Sequence, residues 1–191
     1  MKKEADLSGF ILTGGKSSRM GVDKALLKFR GGTFLSNAVS VVRPYCSEIF
    51  ICGSRPEYEY LGYPLINDIY NDSGPISGIY SGLAHSKTDW NLFLSVDTPF
   101  VDAALIQFLI SNSGDFDCIV PGHESGLEPL AGLYHRRSLN KIEAMIQKRE
   151  FRLTHVISNL NSMVVDCNEL IRNNPRLFFN VNREEDYLLI E

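Results

Sequence analysis

Short apolar runs alternate along the chain with longer segments whose apolar residues recur every three or four positions. The runs of strand length cover residues 9–12, 49–52, 64–66, 91–96 and 118–121. The segments of helical period cover residues 34–45, 75–84 and 103–112. This alternation predicts parallel strands joined by right-handed crossovers, with helices on both faces of the sheet. Ligands of such folds bind at the carboxyl ends of the strands, so the residues that follow each strand are candidate site residues.

The later part of the chain departs from this alternation. Residues 127–135 form a strand-like run directly after a turn-rich segment, which predicts a hairpin or an antiparallel insertion. Helical stretches at 139–148 and 153–158 precede strands predicted at 163–165 and 178–181, and a closing helix starts at Glu184. The chain has no internal repeat and no linker-like tract. We therefore expect one domain over residues 1–191, an α/β, Rossmann-like three-layer sandwich with a mainly parallel sheet and a small antiparallel insertion.

Composition narrows the class of protein. With 44% hydrophobic and 22% charged residues, the chain resembles an ordinary soluble protein, and no apolar run reaches the roughly 18 residues needed to span a bilayer. The N-terminus lacks the pattern of a signal peptide, so we expect a cytoplasmic protein. A net charge of −4 argues against a nucleic-acid partner. The four cysteines have neither CxxC nor metal-ligand spacing, and we interpret them as buried thiols.

A glycine-rich loop follows the first predicted strand, with the sequence LTGGKSSRMGVDK over residues 12–24. Glycines allow backbone amides to approach an anion closely, and successive N–H groups form a nest for phosphate. Arg19 is suited to fork onto two phosphate oxygens, and Lys24 adds a point charge. The loop matches neither the Walker pattern nor GxGxxG. We interpret it as a phosphate cradle, and the alternative is a surface turn with solvated basic side chains.

Asp97 ends the apolar run 91–96 and is therefore expected at the same edge of the sheet as the glycine-rich loop. Mg²⁺ binds through one or two carboxylates together with substrate phosphates, so Asp97 is the candidate ligand for a catalytic Mg²⁺. The alternative is an aspartate that caps the turn before Pro99, and the two roles are compatible.

The motifs together resemble one family. Residues 12–27 read LTGGKSSRMGVDKALL, which is similar to the LAGGxSxRMGxDKxLL signature of the molybdenum cofactor guanylyltransferase (MobA) family. Further matches follow in the same order: Ile66-Asn-Asp68, Gly74-Pro-Ile-Ser-Gly78, Val96-Asp-Thr-Pro99 and Asn180-Val-Asn182. The chain departs from the pattern at Thr13, where the family usually has Ala, and at Cys52, where some members have Asn.

The resemblance implies a nucleotide-diphospho-sugar transferase type of fold and a transfer of GMP from GTP to the phosphate of molybdopterin, with Mg²⁺ as cofactor. It implies catalytic roles for Arg19, Lys24 and Asp97. The residues implied in nucleotide or acceptor binding are Leu12, Thr13, Gly14, Gly15, Lys24, Asp68, Asp97, Arg152, Asn180 and Asn182. Transient contacts with other molybdenum cofactor biosynthesis proteins and with molybdoenzymes are implied as well.

Several of these assignments have alternatives. Asp68 is suited to accept hydrogen bonds from N1–H and the amino group of guanine, or it is a plain turn residue. Asn180 and Asn182 would project from one face of a strand toward the metal and the acceptor, or would only satisfy backbone groups at the strand end. Arg152 resembles the family's basic position for the acceptor, or is solvated.

The function has alternatives too. Gly14 and Gly15 favour GTP, because relatives that use CTP usually have Ala before the second glycine. A cytidylyltransferase or a sugar-phosphate nucleotidyltransferase of the same fold is the alternative within the class. A non-catalytic protein that binds a nucleotide or cofactor is the alternative outside it.

Overall fold

The computed structural model describes residues 6–14 and 23–190. Its strands are β1 (Leu7–Leu12), β2 (Lys28–Phe29), β3 (Gly32–Thr33), β4 (Glu48–Cys52), β5 (Leu65–Ile66), β6 (Trp90–Ser95), β7 (Cys118–His123), β8 (Gly126–Leu127), β9 (Ala131–His135) and β10 (Ser162–Asp166). Its α-helices are α1 (Phe34–Val42), α2 (Pro75–His85), α3 (Ala103–Ser111), α4 (Leu139–Gln147), α5 (Leu153–Asn159), α6 (Asn168–Asn173) and α7 (Glu184–Leu188). Short 3₁₀ helices cover Lys24–Leu26, Arg43–Tyr45, Pro56–Leu61 and Arg136–Ser138.

Within the described residues, eight strands form one sheet in the order β10-β7-β9-β6-β1-β4-β5, with β8 paired to β7. Strands β1, β4, β5 and β6 pair in parallel, and β10 is parallel to β7. Strand β9 runs antiparallel between β6 and β7, and the hairpin of β7 and β8 is antiparallel too. The predicted fold class, a mainly parallel sheet with a small antiparallel part, is therefore confirmed.

The sheet separates two apolar cores, because successive strand side chains point to opposite faces. Ile49 and Ile51 of β4 pack in the core on the face of α1 and α3, whereas Phe50 and Cys52 pack in the core on the face of α2, α4 and α5. Helices thus cover both faces, and the ends of the strands are left as the place for a site.

Local sequence fixes where the first two crossover helices begin. Thr33 caps α1, since its hydroxyl accepts from the N–H of Ser36 while the Ser36 hydroxyl accepts from the N–H of Thr33. Gly74 precedes α2 at φ 70°, a left-handed conformation that favours glycine, and Pro75 occupies the first helical turn. Helix α1 therefore begins directly after β3, and α2 begins after the loop that follows β5.

The prediction of a strand at residues 178–181 is wrong. The chain turns there instead, with Leu177 N–H donating to Asn174 C=O and Phe179 N–H donating to Arg176 C=O. Aromatic residues favour strands, but here Phe178 and Phe179 are only partly buried and lie at a turn that satisfies its own backbone groups. The strand-like run 127–135 is also interrupted, because the N–H of Ala131 bonds to the C=O of Glu128 and closes a turn between β8 and β9.

No helix within residues 6–14 and 23–190 is both long enough and apolar enough to cross a membrane.

Candidate functional site

The carboxyl ends of the parallel strands meet at one edge of the sheet. Leu12 at the end of β1 is in register with Cys52 of β4 on one side and with Ser95 of β6 on the other. The chain passes from β1 to β4 on one side and returns to β6 on the other, so the strand order reverses at β1. Such a reversal opens a crevice at the carboxyl edge, which is where ligands of open α/β sheets bind.

A cavity of about 630 Å³ lies at this edge. It is lined by four of the predicted binding residues, Leu12, Thr13, Gly14 and Asp68, and by Gly78 of α2. Its volume is within the range of small-molecule sites. The structure therefore brings together the described start of the glycine-rich loop and the aspartate predicted to contact a base, while Gly15 and Arg19 lie outside the described residues.

The conformation at the start of the glycine-rich loop depends on the glycine at position 14 and on the hydroxyl group of Thr13. Gly14 has a φ of 87°, in the left-handed region, although no atom of the described residues lies within 4 Å of the position that a Cβ would take. The backbone conformation, and not the space, calls for glycine there. The Thr13 hydroxyl donates a 2.8 Å hydrogen bond to the C=O of Cys52. The Thr13 N–H bonds to the same C=O at 3.3 Å, so the hydroxyl adds a second link between the end of β1 and β4 that alanine would lack.

Asp68 follows β5 and faces the cavity with Cys52 beside it. Partial burial raises the pKa of the Asp68 carboxyl group above its usual range. Burial, with a smaller contribution from Asp68, raises the pKa of the Cys52 thiol strongly. Cys52 is therefore a neutral thiol in the cavity wall, and Asp68 is the stronger hydrogen-bond acceptor of the two.

Lys24 opens the 3₁₀ helix that follows the loop, and Asp23 holds that helix in place. The Asp23 carboxylate caps the helix by accepting from the N–H of Ala25, and it also accepts from the Tyr58 hydroxyl at 2.8 Å and the Arg55 Nε at 3.2 Å. The Nζ of Lys24 donates to Oδ1 of Asn182 at 3.0 Å. Two predicted residues from opposite ends of the chain thus meet, and sequence reasoning missed Asp23, although it directly precedes the lysine.

A second cavity, of about 350 Å³, adjoins the first, since Pro75 and Leu130 line both. It brings together three predicted residues, Asp97, Arg152 and Asn180. The two asparagines of the C-terminal motif therefore have different surroundings, because Asn180 faces this cavity whereas Asn182 bonds to Lys24.

Asp97 lies just beyond β6, and its carboxylate has an unusual environment. Its Oδ1 is buried and has no hydrogen-bond partner among the residues that the structure describes. A buried carboxylate oxygen without a partner costs free energy, which a cation would offset. The described residues hold no group of three or more acidic, His or Cys side chains arranged so that they could hold a metal ion by themselves. Asp97 therefore fits a hard cation that takes one protein carboxylate and completes its shell with phosphate and water oxygens, as Mg²⁺ does.

Glu128 adds a second carboxylate to the second cavity. Burial raises its pKa, the bond to His123 opposes that shift, and the nearby charge of Asp97 adds to it. Sequence reasoning assigned no role to Glu128 or to His123. The available signal was an acidic residue directly before Pro129 in the run after the predicted turn.

Comparison with known proteins identifies the family of this chain. Residues 9–163 match the family described as "MobA-like NTP transferase domain". A protein of Flavobacterium johnsoniae named "probable molybdenum cofactor guanylyltransferase" is 35% identical over 164 residues, which are 85% of this chain and 86% of that protein. A Bacillus cereus protein of the same name is 30% identical over 188 residues, which are 95% of this chain and 94% of that protein.

Solved structures show the same fold. Molybdopterin-guanine dinucleotide biosynthesis protein A from Archaeoglobus fulgidus superposes with a TM-score of 0.80 at 22% identity, with 96% of each chain covered. The bifunctional IspDF from Campylobacter jejuni superposes with a TM-score of 0.75 at 17% identity over 98% of this chain and 55% of that one. The family match covers the greater part of β1, the glycine-rich loop, β6 and Asp97, and this chain belongs to the family of MobA-like NTP transferase domains.

Proposed function

We propose that this chain, as a single domain of residues 1–191, transfers GMP from GTP to the phosphate of molybdopterin and releases pyrophosphate. The names of its relatives support this reaction. The observation that carries the proposal is the pair of adjoining cavities, which share Pro75 and Leu130, with Asp97 on one of them. A transferase that joins two substrates needs two neighbouring sites and a means to stabilise charge between them.

The first cavity would hold the nucleotide. Asp68 would accept from N1–H and the 2-amino group of guanine, a pair of donors that cytosine does not present. Leu12, Thr13 and Gly14 would lie against the nucleoside, and the amides of Gly14 and Gly15 would bind phosphate. Lys24 and Arg19 would neutralise the triphosphate, which an acidic protein of net charge −4 needs to do locally.

The second cavity would hold the acceptor, with Arg152 near its phosphate and Asn180 near the reacting groups. At neutral pH a phosphate monoester is mostly a dianion, since its second pKa is about 6, so it needs no base from the protein. One of its oxygens attacks the α-phosphorus of GTP, the bond to the β-phosphate breaks, and pyrophosphate leaves. This chain's residues position the two groups and screen their charges.

Asp97 is the residue that would hold Mg²⁺, because its Oδ1 is buried and unpaired among the described residues. When bound there, Mg²⁺ supplies neutralisation of the charge on the α-phosphate and on the departing pyrophosphate. The proposal also includes transient contacts with other molybdenum cofactor biosynthesis proteins and with the molybdoenzymes that use the product.

The test is to incubate the protein with each of the four nucleoside triphosphates, Mg²⁺ and molybdopterin, and to measure pyrophosphate release. Release with GTP and molybdopterin, and with none of the other three nucleoside triphosphates, supports the proposal. Release with CTP instead of GTP means a cytidylyltransferase, and release that needs a sugar phosphate means a sugar-phosphate nucleotidyltransferase. Binding of GTP without any release means a non-catalytic binding protein.

A pair of variants makes this test specific to the site. Asp97→Ala is expected to abolish release, whereas Asp89→Ala is not, because Asp89 is exposed and precedes β6 at the opposite edge of the sheet. Equal loss in both variants would mean that the effect comes from a general change in the protein's charge or stability.

A further inference from the structure

The second cavity contains one charged group that the proposed reaction does not use. Its walls are largely apolar, with Pro129, Leu130 and Phe151 among them, and three of its side chains carry charge. Asp97 and Arg152 have roles in the proposed function, but Glu128 has none. An apolar cavity with a few placed polar groups is the usual form of a site for a flat organic ligand.

The backbone of Glu128 is fixed on both sides. Its N–H donates to the C=O of Pro121 at 3.0 Å, and its C=O accepts from the N–H of Ala131 at 3.2 Å. These two bonds join the turn between β8 and β9 to the sheet. Glu128 is therefore held by the antiparallel part of the fold and does not belong to a free loop.

The side chain of Glu128 is oriented by His123. The Nδ1 of His123 accepts from the N–H of Ser125 at 3.2 Å, so the proton of the neutral ring is on Nε2, which donates to Glu128 Oε1 at 3.1 Å. The His123 ring is in turn stacked on Phe178, with centroids 5.2 Å apart and planes 10° apart. A backbone amide and an aromatic ring thus fix the tautomer and the position of the donor.

This arrangement leaves part of the carboxylate available to a ligand. The Glu128 side chain is 26% exposed, and among the described residues the structure records no donor to its second oxygen, Oε2. An ionised carboxylate only accepts hydrogen bonds, and it repels anions. The group that binds beside Glu128 is therefore a hydrogen-bond donor and is not the phosphate.

We propose that Glu128, held by His123, binds the ring N–H groups of the acceptor and so orients its heterocycle between the apolar walls of the second cavity. This inference rests on the proposed function, because it names the part of the acceptor that the residue recognises. The class of ligand is a phosphorylated, flat, N–H-rich heterocycle of the pterin type. Glu128 acts as a determinant of which acceptor is bound, and the nucleotide is selected elsewhere.

Binding is tested with 6-hydroxymethylpterin monophosphate and with inorganic phosphate, titrated into the wild-type protein and Glu128→Gln by calorimetry. The variant is expected to bind the pterin phosphate about tenfold more weakly, since it loses a charge-assisted hydrogen bond. Its affinity for inorganic phosphate should stay the same or rise, because a repelling charge is gone. Equal weakening for both ligands, or no weakening for either, overturns the inference.

His123 offers a matched pair of variants. His123→Gln keeps an N–H donor at about the reach of Nε2, whereas His123→Phe keeps the stacking on Phe178 and removes the donor. The glutamine variant should bind pterin phosphate like the wild type, and the phenylalanine variant should resemble Glu128→Gln. If the two variants bind it equally, His123 does not orient Glu128. Thermal unfolding of each variant shows whether it is folded, and the His123 pair provides the test if Glu128→Gln is not.

Kinetics separate this inference from the proposed function. In Glu128→Gln, the KM for molybdopterin is expected to rise about tenfold while the KM for GTP is unchanged. A wild-type protein that turns over GTP and molybdopterin, with a variant of unchanged KM for molybdopterin, overturns the inference and leaves the function standing. A wild-type protein that neither turns over molybdopterin nor binds the pterin phosphate overturns both.

Discussion

Lys24 and Asn182 lie 158 positions apart in the sequence and are joined by a 3.0 Å hydrogen bond from the lysine Nζ to the asparagine Oδ1. The bond positions Lys24 without reducing its charge, because the amide of Asn182 is neutral. The C-terminal segment thus helps to place the positively charged side chain of Lys24, which follows the glycine-rich loop.

We expect the charge of the residue at position 182 to decide how well GTP binds. Asn182→Asp would form an ion pair with Lys24 and reduce the charge available to a phosphate, so the KM for GTP should rise about tenfold. Asn182→Ala removes the bond but leaves the charge, and its KM should rise by less. Steady-state kinetics with GTP varied would measure both. A larger rise in KM in the alanine variant would mean that Asn182 acts by positioning the Lys24 side chain and not through the charge at position 182.

We expect Asp97→Asn to separate stability from activity. The substitution removes the charge of a carboxylate whose Oδ1 is buried and unpaired among the described residues, so the variant without Mg²⁺ should be at least as stable as the wild type. Pyrophosphate release should nevertheless be lost. Added Mg²⁺ should raise the unfolding midpoint of the wild type by about 3 °C and leave that of the variant unchanged. An equal rise in both proteins would place the cation elsewhere.

We expect Asp68 to select the base. Asp68→Asn replaces an acceptor-only group with one that also donates, so it should weaken GTP binding by about tenfold or more. The same variant should gain affinity for xanthosine triphosphate, whose C2 oxygen accepts where guanine donates. Asp72 lines the same cavity and provides the control substitution, Asp72→Asn. Unchanged selectivity in Asp68→Asn would assign base recognition to other residues.

The raised pKa of Asp68 gives this selection a pH dependence. Because partial burial favours the protonated carboxyl group, Asp68 takes up its proton at a higher pH than an ordinary aspartate does. The protonated group accepts less well, so GTP affinity should fall as the pH is lowered toward that pKa. The phosphates of GTP titrate as well, and the relevant quantity is therefore the ratio of wild-type to Asp68→Asn affinity. That ratio should decrease with falling pH, and a constant ratio would contradict the assignment.

Candidate site residues that directly follow a strand can be predicted from the sequence. Residues that reach the site only through the pairing of distant strands are harder to predict. Asp97 and Asp68 each follow an apolar strand, and the carboxyl ends of parallel strands necessarily meet, so the sequence predicts that both lie at this edge of the sheet. Glu128 was missed because it reaches the site only when β9 returns antiparallel between β6 and β7. No local pattern around Glu128 records that pairing.

In the C-terminal segment, the sequence predicts a strand that the structure does not contain. Two adjacent phenylalanines predict a strand at 178–181, but the segment folds in turns. One of its links to the sheet edge is the bond from the N–H of Val181 to the C=O of Asp97. Asn180 was still predicted as a site residue, because the motif resemblance does not depend on the type of secondary structure. Its placement on the second cavity follows from the turn.

Two glycines one turn apart on α2 provide the last prediction. A Cβ on Gly78 would lie 2.9 Å from Leu12 Cδ2, the end of a flexible side chain on the first cavity. A Cβ on Gly82 would lie 2.7 Å from Phe93 Cε1 and 2.9 Å from Phe10 Cδ1, both in the core.

Gly78→Ala should therefore narrow the nucleotide cavity, because both the new methyl group and the displaced Leu12 side chain occupy space beside it. We expect the KM for GTP to rise about tenfold, with little change in stability, since alanine favours the helix. Gly82→Ala should lower the free energy of unfolding by about 2 kcal/mol through overpacking and leave the KM for GTP unchanged. Urea denaturation and GTP kinetics on both variants measure this contrast. A Gly78→Ala variant that binds GTP like the wild type would mean that the nucleotide does not use the part of the cavity between α2 and the end of β1.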